Sequence, residues 1–289
     1  MTRLSCLLTF LAVLTGLAPG VASAMTSDRS VAKMVAFGGS CAKCELSGRK
    51  LAGARFMGAD FTAAALVGSD LRGALFQGSV FDKADLTRAD LSDSQMMGAS
   101  FAAASLTDAD LRNAELNGAN FSRADLSRAD LRDIEGMGAT FAAANLRGAR
   151  LDKSELNGAD FNRVNAQGAN FDDAELTAAN LSGGRFDGAS FRDADLDMAN
   201  LRGAVFAGAD LRKASLDRTN IGGVDLSKSR GLTQSQLDDA CGDSATKPPP
   251  GLVVRACSGR RITVRIASPP APPAPPAPPA APRRLAPMD

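Results

Sequence analysis

Nearly every fifth residue between Leu46 and Leu226 is Leu or Phe, and the residue two places earlier is small. The 37 consecutive centres comprise 21 Leu, 12 Phe and one Ile, with Met96, Gly136 and Ala166 as exceptions. Two positions ahead of them, 26 of the 37 residues are Ala and four are Ser. A helix repeats about every 3.6 residues and a strand every two, so neither generates a period of five. A strict internal repeat has to be explained before local propensity is read.

A second spacing indicates what the five-residue unit builds. Phe61, Phe81, Phe101, Phe121, Phe141 and Phe161 recur every twenty residues, as do Gly58, Gly78, Gly98, Gly118, Gly138 and Gly158. Four five-residue sides closing one coil, with equivalent residues stacked from coil to coil, account for both spacings. The large centre and the small residue two before it then point inward, because a second large residue would overpack a narrow tube. Asp, Asn, Arg, Ser, Gly and Thr fill the other three positions, which face water or turn the corners. Gly at one corner suits a turn with φ > 0.

Units such as Ala209-Asp210-Leu211-Arg212-Lys213 and Ala119-Asn120-Phe121-Ser122-Arg123 resemble those of the pentapeptide-repeat proteins, with their Ala-(Asp/Asn)-Leu-X-X motif. The resemblance implies an all-β fold, a right-handed quadrilateral β-helix, over residues 44–228. It specifies a fold and not an activity. Some cytoplasmic members of that family resemble DNA in shape and charge and protect or inhibit DNA gyrase. An export signal, a near-neutral surface and a long tail argue against such a DNA-mimicking, gyrase-binding role here. Arg49, Ile134, Val164, Thr219 and Val224 depart from the small residue, and Gly136 and Ala166 leave a side under-filled. Softer coils are therefore expected near 134–136 and 164–166, although Gly136 also reads as a possible site.

Residues 1–24 read as a secretory signal: Arg3 supplies the charge, Leu7 to Leu17 the apolar core, and Ala22-Ser23-Ala24 the cleavage site. Cys6 leaves with it. No further stretch is a transmembrane candidate, and a bacterial periplasmic or secreted protein is expected. Residues 25–43 form an N-terminal cap over the open first coil, since the end of a β-solenoid exposes unpaired backbone groups. Cys41-Ala42-Lys43-Cys44 is a Cys-X-X-Cys without the helical context of a redox motif. In an oxidising compartment it reads as a local disulfide or as two buried thiols.

Beyond Leu226 the register breaks. Thr233-Gln234-Ser235-Gln236 is a capping-box start for a short helix. Residues 229–257 form a C-terminal cap in which Cys241 and Cys257 bracket a Pro-rich loop suited to a second disulfide. Residues 258–289 make a basic, disordered tail with an all-Pro/Ala run from Pro269 to Pro282. That composition favours polyproline II. It serves either as a stiff spacer or as a basic arm carrying Arg260, Arg261, Arg265, Arg283 and Arg284; the spacer is preferred.

The interior of such a rod is filled, so function has to be written on its surface. Residues 41–230 hold 27 Asp/Glu and 23 Lys/Arg. Glu115, Glu135, Glu155, Glu175 and Asp195 recur at twenty and should stack on one side, with Arg112, Arg132 and Arg192 on the preceding side partly offsetting them. This is either a solvated face or an acidic stripe for a basic partner or divalent cations. The chain has no histidine, which removes the commonest general base and transition-metal ligand. No catalytic residues, metal ligands, cofactor or nucleic-acid partner are assigned. The expected function is a non-catalytic envelope scaffold that binds an unknown protein or cell-envelope component. A thiol-based redox protein is the alternative enzyme-class reading.

Overall fold

The computed structural model describes residues 38–257 and the backbone of residues 261–262. The signal and most of the N-terminal cap, and nearly all of the tail, lie outside the described residues. From Ser40 to Arg230 every fifth residue forms a parallel β-bridge with the residue twenty places on, as in Ser40↔Asp60, Asp60↔Val80 and Glu135↔Glu155. One coil is therefore twenty residues. It has four corners, because every fifth residue from 38 to 223 has φ between 54° and 71°. At each corner the preceding residue keeps negative φ, and the chain commonly closes with a bond such as Ala124 N–H to the Phe121 carbonyl, 3.0 Å. Those features define a type II turn.

Each side is so short that only one residue pairs before the next corner, which is why the rod contains few strands in the ordinary sense. Its backbone is nonetheless bonded along the axis. Leu51 N–H donates to the Asp70 carbonyl at 2.7 Å, Asp70 N–H donates back to Arg49 at 2.9 Å, and the pattern repeats coil after coil. Positive φ was expected at a glycine corner; all four corners adopt it, at residues such as Lys43, Ala103, Asp133 and Arg163 as well as Gly138. A left-handed L-residue costs about 1–2 kcal/mol, and the ladders on both neighbouring coils hold it there.

We number the sides one to four from the centres Phe61, Leu66, Leu71 and Phe76 and their counterparts every twenty residues. On side one, rings stack from Phe61 to Phe161 with centroids 4.8–5.2 Å apart and planes within 8°. The stack then changes sides. Phe161 and Phe171 belong to one coil and face each other edge-on across the tube at 5.9 Å. Ala166 lies between them, and a third large centre would not fit.

This corrects the expectation of soft coils. Gly136 N–H reaches the Glu155 carbonyl at 2.7 Å and Ala166 N–H reaches Arg185 at 2.8 Å, as in any other coil. A Cβ on Gly136 would stand 3.0 Å from Leu156 Cδ2 and 3.8 Å from Ile134 Cδ1. The space at the missing centre is bounded by Leu156 of the next coil and by Ile134, the larger residue two places before it. Ile134 with Gly136, and Val164 with Ala166, exchange the large and small positions of the unit and offset most of the missing volume. Gly184 shows the converse: a Cβ there would meet the Phe186 ring at 2.6 Å.

Past Arg230 the helix α1 (Gln234–Asp239) takes the place of side four in the last coil, with Arg218 N–H bonded to the Asp239 carbonyl at 2.9 Å. Thr233 and Gln236 form the capping box. Gln236 Nε2 also donates to the Ala214 carbonyl (2.8 Å), where the regular ladder would bring an N–H of the next coil, and to the Leu211 carbonyl (3.0 Å), which accepts Ala214 N–H as well. Leu237 is fully buried over the tube. Cys241 and Lys247 extend two columns by one more bridge each, onto Asn220 and Asp225. Strand β1 (Val254–Arg255) then pairs antiparallel with β2 (Arg261–Ile262).

Candidate functional surface

Three residues of each unit reach the surface, and the one before the centre does most of the local work. Asp or Asn there accepts the N–H two residues on: Thr62 to Asp60 at 2.9 Å, Ser122 to Asn120 at 3.0 Å, Ser127 to Asp125 at 3.0 Å. Its carboxylate or amide caps the corner, which is the physical reason for Asp/Asn at that place. Where the residue two on is Arg, its guanidinium folds back onto the same carboxylate. Arg72–Asp70, Arg112–Asp110, Arg132–Asp130 and Arg212–Asp210 are such pairs, at 2.8, 2.6, 2.6 and 2.6 Å.

The predicted acidic residues do form one column. Glu115↔Glu135↔Glu155↔Glu175↔Asp195 are consecutive bridge partners on side four. Glu115 accepts from Gln95 Nε2 at 3.2 Å, Glu175 from Asn157 Nδ2 at 3.0 Å and Asp195 from Thr177 Oγ1 at 3.1 Å. The neighbouring arginines do not offset the column. Arg112 and Arg132 are taken up by Asp110 and Asp130, and Arg192 by Asp172 at 2.7 Å. An Asp two residues away, or in the coil below, presents both oxygens to the guanidinium fork, and that geometry wins over a distant charge. Among the described residues, no Lys or Arg pairs with any member of the column.

Hydrogen bonds from their arginines hold the Asp70, Asp110 and Asp210 carboxyls below the ordinary aspartate range. A lowered folded-state value contributes stability that is present above the unfolded value, about 3.9, and is lost as pH falls through the folded one. With no histidine in the chain, the melting temperature should stay flat between about pH 5 and 8 and fall only in acid. Thermal unfolding followed by circular dichroism across pH tests this; a slope near neutrality would contradict it.

The cysteines pair within each end of the rod. Cys41–Cys44 closes the first corner with Cα atoms 5.2 Å apart, and Cys241–Cys257 ties β1 to the last coil at 4.7 Å. Cys41 and Cys44 are buried. Among the basic-arm residues, Arg261 begins β2, while Arg260, Arg265, Arg283 and Arg284 lie outside the described residues. Among the described residues, no cluster of His, Cys, Asp or Glu is placed to hold a metal ion, and no helix is long and apolar enough to cross a membrane. An open groove of about 440 Å³ on side two, lined by residues such as Arg128, Arg147, Gln167 and Asp187, does not enclose a ligand.

Sequence reasoning missed one surface feature. Met57, Met97 and Met137 share a column beside the acidic one and are 36%, 39% and 51% exposed. Their spacing of forty residues was the available signal.

A family model described as pentapeptide repeats matches in eight copies between residues 40 and 230, leaving out only 134–136, the unit that exchanges large for small. No curated protein matches at the level of sequence. Among solved structures, the chain is similar to HetL of the cyanobacterium Nostoc sp. strain PCC 7120, a pentapeptide repeat protein involved in heterocyst differentiation regulation. That match has 28% identity and a TM-score of 0.61, and covers 76% of this chain and 92% of HetL. A trypsin-treated form of QnrB1, a plasmid-mediated fluoroquinolone resistance protein, matches at 21% identity and TM-score 0.40, covering 65% and 88% of the two chains. A pentapeptide repeat protein of the Arabidopsis thaliana thylakoid lumen matches at 25% identity and TM-score 0.21, covering 52% and 85%. The chain belongs to the pentapeptide-repeat family, whose members fold as right-handed quadrilateral β-helices.

Proposed function

We propose that this protein is a non-catalytic scaffold of the bacterial cell envelope, periplasmic or secreted, whose rod presents flat surface columns to a protein partner. The observation that carries the reading is the filled interior. Leu and Phe centres from Leu46 to Leu226 are buried against one another, so chemistry is available only on the outside, where rows of residues stand in fixed register. A surface of that kind recognises another macromolecule by shape and charge and has no enclosed pocket in which to convert a small substrate. The family is generally one of structural and interaction proteins, and the similarity to HetL, a regulatory protein by its description, points the same way. The envelope location rests on residues 1–24, which read as a secretory signal.

In-cell crosslinking of the tagged full chain, followed by capture from the periplasmic fraction, tests the proposal. The expected result is one partner recovered with the native chain. It should be lost either from a variant with Glu115, Glu135, Glu155 and Glu175 changed to Gln or from one with the tail arginines changed to Gln. Absence of the protein from that fraction would overturn the location. The same partners at the same yield from all three chains would overturn the assignment of the binding surface.

A further inference from the structure

A period longer than the coil is written on side one. That side lies between the corner at 57–58 and the corner at 62–63, each recurring every twenty residues. The first corner carries Met57, Gln77, Met97, Asn117, Met137 and Asn157, and the second Ala63, Lys83, Ala103, Arg123, Ala143 and Arg163. Both alternate with a period of forty and in phase, so that each methionine shares its coil with an alanine and each amide with a cation. A duplicated block of two coils would leave that period on every side. The same block has diverged at the corner of side two, which reads Val67-Gly68, Thr107-Asp108 and Arg147-Gly148.

The two corners point outward. Met57, Met97 and Met137 are exposed, and among the described residues no carboxylate lies within ion-pair distance of Lys83, Arg123 or Arg163. Ala103 and Ala143 are exposed as well, each with φ of 57°. Alanine is disfavoured in that conformation where glycine is not, yet glycine takes this corner only from Gly183 onward. Exposed methyl groups kept in a costly conformation call for something that packs against them. Between the corners the floor is small, with Gly98, Ser100 and Ala102 in one coil and Gly118, Asn120 and Ser122 in the next. The Oδ1 atoms of Asn117 and Asn157 accept the N–H groups of Met137 (2.8 Å) and Thr177 (3.1 Å). Those bonds fix both amides and leave each oxygen a second lone pair.

We propose that side one is the interface of an antiparallel dimer of this chain. A two-fold axis normal to the side lays each corner of one copy along the opposite corner of the other. With the axis at the row of Asn120, Met97 meets Ala143 of the second copy and Met137 meets its Ala103. Asn117 then faces Arg123, and Asn157 faces Lys83. Large meets small and cation meets amide oxygen, row after row. The occupant follows from the period. An α-helix advances about 5.4 Å per turn and a strand about 6.8 Å per two residues. Neither keeps step with an array that repeats every two rows, at about 9.6 Å. A second copy has the same rise and stays in step throughout. Six rows, about 25 Å from first to last, make a contact at the small end of specific interfaces, so the dimer comes apart on dilution. The pairing is isologous and closes at two copies. It leaves the acidic column of side four uncovered, and it stands or falls separately from the envelope-scaffold reading.

Sedimentation velocity of the purified mature chain over a dilution series tests this, and a reversible monomer–dimer equilibrium is expected. The A103R/A143R variant fills the seats of the methionines with a residue that the same corner already carries at Arg123 and Arg163, so the fold is kept. It should weaken the dimer at least about tenfold. Asn113→Arg, at a left-handed position (φ 58°) on the diagonally opposite corner, should leave the dimer unchanged. Thermal melting by circular dichroism checks that each variant is folded. Mild oxidation of M97C/A143C should give disulfide-linked dimers, and M97C/A63C should not. A chain that is monomeric throughout the series, a dimer indifferent to A103R/A143R, or equal crosslinking of the two cysteine pairs would overturn the proposal.

Discussion

Replacing Phe121 by alanine is expected to destabilise the rod by about 3–5 kcal/mol, at the upper end for a single core truncation. Phe121 is fully buried, and its ring stacks on Phe101 at 4.8 Å and on Phe141 at 5.2 Å. Each such pair is worth about 0.5–1.5 kcal/mol beyond area burial. The effect should also change the shape of the transition. Stability in a solenoid is close to a sum of coil energies and nearest-neighbour interfaces, so a weak interface in the middle lets the two halves unfold separately. Denaturant unfolding should show a lower midpoint and a second step. Phe121→Leu, which installs the other common centre, should keep most of the stability and a single step. A loss under about 1 kcal/mol for Phe121→Ala would mean that the backbone ladder alone carries the coil.

A pair of changes at 134 and 136 should show strong coupling. Gly136→Leu alone puts a branched side chain where Leu156 Cδ2 and Ile134 Cδ1 already stand, and overpacking of that kind costs about 1–3 kcal/mol or more. Ile134→Ala alone empties the filled space and costs about 2–5 kcal/mol. The double variant rebuilds the ordinary Ala-x-Leu unit and is expected within about 1 kcal/mol of the native chain, a coupling far outside the additivity of distant sites. Equilibrium unfolding of the four proteins measures it. Additive losses would refute the volume exchange.

The architecture was legible because the period of five and the recurrence at twenty each eliminate the common alternatives. Thr233 and Gln236 likewise announced the helix start, since a capping box is a local signal. What remained hidden depends on reach or on mutual compensation. Gly136 looks like a defect in a one-dimensional pattern and becomes a fit only when Ile134 is seen turned into its space. Arg112 and Arg132 fall on predictable columns, yet the pattern does not say that each guanidinium bends back two residues to an aspartate. The left-handed corners at Lys43 or Arg163 leave no trace in residue type, because neighbouring coils impose the conformation. The acidic column was legible in full; the methionine column beside it was not, because Gln77 and Asn117 interrupt it at alternate coils.

The twenty-residue coil also fixes how the gene for such a rod can change length. Loss or duplication of one whole coil alters the rod by about 4.8 Å and leaves every column on its own side. Loss of a single five-residue unit would leave the core intact as well. It would turn everything downstream by a quarter of a revolution, so that Glu135 to Asp195 would no longer continue the line begun by Glu115. The surface therefore has a reading phase of four units, and an in-frame deletion tolerated by the fold can still scramble the face.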